Sequence, residues 1–106
     1  TGVQNTLIGG LAGDAITTVS NTTAVGYNSL GSNTTGTSNT AVGDVSATSN
    51  TTGSNLSALG RYALYSNTTG ANNTGLGFQS LFSNTTASNN TAVGYQSLQQ
   101  EIITPL

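Results

Sequence analysis

One aliphatic residue stands immediately before a glycine, and the pair returns every 17 residues: Ile8–Gly9, Val25–Gly26, Val42–Gly43, Leu59–Gly60, Leu76–Gly77 and Val93–Gly94. No insertion or deletion interrupts the six units. A strict short period makes each unit one structural step and stacks the steps. Four residues after the glycine a second apolar column runs through Leu30, Leu64, Leu81 and Leu98, with Gly13 and Ala47 in its other places. Between these columns the chain is polar. Seventeen residues are too few for a helix–turn–helix repeat but suit one coil of a β-solenoid. TAVG is β-friendly, with Thr and Val on one parity and the small Ala on the other. SNTTG reads as a short polar strand or turn. GYQSL reads equally as a second strand or a helical turn. The fold expected is all-β: a parallel β-solenoid (β-roll) of six 17-residue coils over residues 1–99, followed by a tail over 100–106.

The aliphatic column before the glycine (Ile8, Val25, Val42, Leu59, Leu76, Val93) and the column after it (Leu30, Leu64, Leu81, Leu98) are the candidate core. On that register Val42→Asp is expected to abolish folding. Gly9, Gly26, Gly43, Gly60, Gly77 and Gly94 are the candidate corner residues, where a Cβ would clash or φ must be positive. Two sizeable aliphatics per coil make a thin core against a backbone ordering cost of about 1–2 kcal/mol per residue. Such a chain gains from pooling apolar columns with neighbours, so a homotrimeric or filamentous fibre is expected. Tyr27, Phe78 and Tyr95, one place after the glycine, either complete such a seam or shield a single-chain core; Tyr65 and Phe82 lie on a neighbouring column. The tail, with Ile102, Ile103 and Leu106, drops the repeat and reads as a cap or assembly segment.

Composition narrows the function. Thr, Ser and Asn make up 46 of 106 residues, Gly adds 14, and Cys and His are absent. That removes disulfides and the usual zinc, haem and iron–sulfur ligand sets, and no cofactor or metal is expected. Arg61 is the one basic residue, too little for displacing counterions from nucleic acid. No apolar run approaches the roughly 20 residues of a membrane span. No basic-then-apolar segment opens the chain, as in a mature chain or an excised piece. Asp14 and Asp44 fall at different places in their units, so stacking does not pair them for acid–base work. The serines have no His or Lys to activate them. GGLAG at 9–13 lacks the Lys of a phosphate loop and reads as a turn in an end coil. No enzyme is expected.

Asn33, Asn50, Asn67 and Asn84, followed by Thr34, Thr51, Thr68 and Thr85, form columns that read as a surface ladder or as glycan acceptors, since each Asn-Thr-Thr is a formal sequon. Asn21, Asn55, Asn72 and Asn89 open further sequons. Thr ladders about 4.8 Å apart also raise ice binding as an alternative function.

The phrases NTLIGGLAGDA, NTAVGYNSL and NTAVGYQSL, each followed by SNTTG or a relative, resemble repeats in tail-fibre and other virion structural proteins of bacteriophages, and in related bacterial surface proteins. TAVG is also similar to the core strand of trimeric autotransporter adhesin heads, whose repeat is shorter. The resemblance spans roughly residues 4–99. It implies an elongated, trimeric fibre segment on a virion or extracellular surface, contacting a host-surface glycan or protein. A self-assembling extracellular filament without a receptor role is a further alternative.

Overall fold

The computed structural model describes residues 2–100. Six three-residue strands form one parallel sheet: β1 (Thr6–Ile8), β2 (Thr23–Val25), β3 (Thr40–Val42), β4 (Ser57–Leu59), β5 (Thr74–Leu76) and β6 (Thr91–Val93). Their order in the sheet is their order in the chain. Each residue pairs with the one 17 places on, as Thr23 with Thr40 and Val25 with Val42. The result is a β-solenoid of about five turns, with no helix among the described residues.

Past each strand the chain turns at the marker glycine. Gly43 has φ of +138°, and a Cβ there would lie 2.7 Å from the carbonyl oxygen of Gly60 in the next coil. Only glycine fits both the conformation and the close approach of stacked backbones. GYQSL is neither strand nor helix but a run of β-turns. In the second coil the amides of Ser29, Gly31 and Asn33 bond the carbonyls of Gly26, Asn28 and Leu30 in succession. Left-handed residues alternate through this run: Asn28 (φ 55°) and Leu30 (φ 51°), then Val45 and Ala47, then Tyr62 and Leu64. Leucine in this region costs about 1–2 kcal/mol of backbone energy. The cost is met because the turn points each of these leucines inward.

The interior has two halves. The apolar half contains Ala24, Ala41, Ala58 and Ala92 of the strands, with Leu30, Ala47, Leu64 and Leu81 of the turns, all buried. This corrects the expected parity. The middle strand residue faces in, and the column before the glycine faces out: Ile8 is 59% exposed, Leu59 49% and Val93 65%, while Val25, Val42 and Leu76 are half-buried. Both columns are apolar, so either could have supplied the core. The coil is narrow, and only the smaller one fits. At Gly75, in the inward column, even a Cβ would already stand in van der Waals contact with Leu64, 3.5 Å from its Cγ. Leu98 keeps the inward register but is 52% exposed, because no described coil lies over it.

The polar half is built from asparagine. Asn33, Asn50, Asn67 and Asn84 are buried to 1% exposure or less, against the expectation of a surface ladder or glycan sites. Each Nδ2 donates to a carbonyl of its own coil, and the last three also donate to the Asn Oδ1 of the coil before, at 2.7, 2.9 and 2.8 Å. A second inward set, Asn5, Asn39 and Asn73, accepts the amides of Thr22, Leu56 and Asn90 one coil on. Satisfied in this way, buried amides are no liability; among the described residues Asn84 Oδ1, at the end of the column, is the exception.

Candidate functional site

No cavity opens among the described residues, and no cluster of metal-ligating side chains occurs there. Two surfaces stand out.

The first is the outer face of the sheet. Because strand side chains alternate, the first and third residues of each strand share this face. One row is Thr6, Thr23, Thr40, Ser57, Thr74 and Thr91; beside it runs Ile8, Val25, Val42, Leu59, Leu76 and Val93. All the threonines of this row are exposed or half-exposed. Among the described residues their hydroxyls make no hydrogen bond within the protein. The Asn-Thr-Thr threonines behave differently. The hydroxyls of Thr34, Thr51 and Thr68 donate to carbonyls of the next coil at 3.1, 3.2 and 3.2 Å. Thr85 is exposed at the end of that column. The column singled out in the sequence thus holds the stack together, and a different column offers free hydroxyls.

The second surface lies around the glycine corner and is aromatic. Tyr65 and Phe82 stack at 4.9 Å with planes 8° apart, and Phe78 and Tyr95 stack at 5.5 Å and 16°. Tyr62 sits between the two stacks, edge-on to Tyr65, Phe78 and Phe82 at 5.4, 6.1 and 6.0 Å. The 17-residue repeat produces both stacks by placing rings of one column above each other. Arg61 covers the Tyr62 ring at 4.7 Å and pairs with Asp44 at 3.2 Å. Phe78 and Tyr95 thus join a five-ring patch, whereas Tyr27 stands apart on the same column, 56% exposed, with Asp44 and Arg61 between. The sequence pattern does not single out Tyr62. Its signal was weak, being the one aromatic in a column of Leu11, Asn28, Val45, Gln79 and Gln96.

Of the sequons, Asn21, Asn55, Asn72 and Asn89 are exposed, and the last three are linked by amide hydrogen bonds at 3.0 and 3.1 Å. Ile102, Ile103 and Leu106 lie outside the described residues. No protein-family profile, curated protein or solved structure matches the chain.

Proposed function

We propose that this chain is a structural segment of a fibre on a virion or extracellular appendage, a stiff rod displaying a repeated surface for attachment. The observation that supports this most directly is the unbroken register of six strands, with no cavity among the described residues. Such an array supplies length and repetition, and repeated weak contacts add up to avidity. The chains associate side by side, as a homotrimer or filament, through the five-ring patch. Four of its rings are half-exposed and Tyr95 is exposed, and aromatic patches of this kind are enriched at interfaces. The bonding partner of a fibre so built is a host-surface glycan or protein.

Sedimentation and electron microscopy of the purified chain test this reading. Rods of several chains are expected, and Tyr95→Ser, at a site 73% exposed, is expected to weaken assembly while leaving the circular dichroism spectrum unchanged. A chain that stays monomeric at every concentration, with or without Tyr95, overturns it.

A further inference from the structure

The outer sheet face calls for an occupant of its own, apart from the fibre role. Its side chains form a two-row lattice, with strands about 4.8 Å apart along the axis and the two rows about 6.7 Å apart along the strand. The register is unbroken across all five strand pairs. One row ends in hydroxyls and the other in methyls. No charge stands in either row: Asp14, Asp44 and Arg61, the charged side chains of the described residues, fall at other places in the repeat.

A protein partner is poorly served by such a face. It offers no pocket for an anchoring side chain, and the rows repeat, so nothing sets the register of a bound segment. Ordered water is served well. Each free hydroxyl has one donor and two acceptor sites, and methyl groups restrict the orientation of first-shell water without competing for its bonds. A rectangular array on this scale is close to the repeat of water oxygens across the prism faces of ice. The hydroxyls on the Asn-Thr-Thr column are spent on backbone carbonyls. The neighbouring exposed threonines, such as Thr35, Thr52 and Thr69, lie on a bend outside the sheet, and the column two places on is mixed, with Thr37, Ser54, Ala71 and Ser88.

We infer that the row of Thr6, Thr23, Thr40, Ser57, Thr74 and Thr91, with the aliphatic row beside it, is an ice-binding surface that holds lattice water on its hydroxyls and methyls. Binding is the sum of many small contacts over the face. One protruding side chain therefore lifts its neighbours from the ice, and a gap of 0.5–1 Å forfeits about a quarter to a half of each contact.

The test is the shape and freezing hysteresis of a single ice crystal in a solution of the folded chain, with two variants. Thr40→Tyr places a bulky ring at the centre of the face. Thr52→Tyr places the same ring on the bend. All three proteins should show the same thermal unfolding midpoint and circular dichroism. The parent and Thr52→Tyr should facet the crystal and depress its growth temperature, and Thr40→Tyr should lose most of that effect. A folded parent that leaves ice growth unchanged overturns the inference. So does equal loss from both variants, or a Thr40→Tyr effect on sedimentation alone, which would assign the face to a second copy of the chain.

Discussion

Two asparagines of one buried column should respond very differently to the same substitution. Asn67 sits inside the ladder. Its Nδ2 donates to Asn50 Oδ1 and to the Gly70 carbonyl, both at 2.9 Å, and its Oδ1 accepts from Asn84 and Asn73 at 2.8 and 3.3 Å. Asn67→Ala strips Asn50 Oδ1 and the Gly70 carbonyl of these donors, and no second one replaces them. The coil holding Asn50 has Leu56 where its neighbours carry an inward asparagine. Two orphaned buried acceptors cost about 2–6 kcal/mol together, at roughly 1–3 kcal/mol each. Among the described residues Asn84 ends the ladder, and its Oδ1 is buried there without a partner. Asn84→Ala removes that unsatisfied atom. The Ala87 carbonyl keeps Asn73 Nδ2 at 2.7 Å, and Asn67 Oδ1 keeps Asn73 at 3.3 Å. The cavity left by the side chain is common to both variants, so their difference isolates the hydrogen bonds. Asn67→Ala should be the less stable by about 2 kcal/mol or more. Urea unfolding followed by circular dichroism measures it. Equal midpoints and slopes would refute the account of the ladder as a continuous hydrogen-bonded column.

Val42→Asp should fold, with a midpoint shift small beside that of Leu64→Asp, because Val42 faces outward and Leu64 is fully buried; solubility and circular dichroism of the pair decide it. Gly43→Ala should lose far more stability than Gly94→Ala. Both demand a positive φ, costing about 1–3 kcal/mol, but only at Gly43 does the new Cβ strike the next coil, the nearest atom at Gly94 being Ser97 Cβ at 3.9 Å; thermal melts of the two variants read the difference. Val45→Asn should raise stability by roughly 1 kcal/mol, since Val45 holds φ of 52° and Asn28 occupies the same place in its coil with φ of 55°; a lowered melting temperature would show that Val45 packing outweighs its backbone cost.

The 17-residue beat alone determined that the chain stacks in parallel and in register, because any other pairing would break the identity of neighbouring coils. It also marked the corners, since Gly43 and its equivalents all turn with a positive φ and those from Gly9 to Gly77 also touch the next coil. The period could not say which way a coil faces. In TAV the alanine and the valine are both apolar, and a three-residue strand has too few alternations to vote. Tertiary packing decided for alanine, because the interior is too narrow for an aliphatic from the strand and a leucine from the turn at one level. The same enclosure reversed the asparagines and threonines. Read alone, Asn-Thr-Thr is a polar surface phrase; stacked, Asn67 finds Asn50 and Asn84 at hydrogen-bond distance and goes inside, while Thr68 turns its hydroxyl to the next coil's carbonyl. The free hydroxyls were then left to Thr23, Thr40 and Thr74 on the sheet, beside valines and leucines that the narrow interior could not admit.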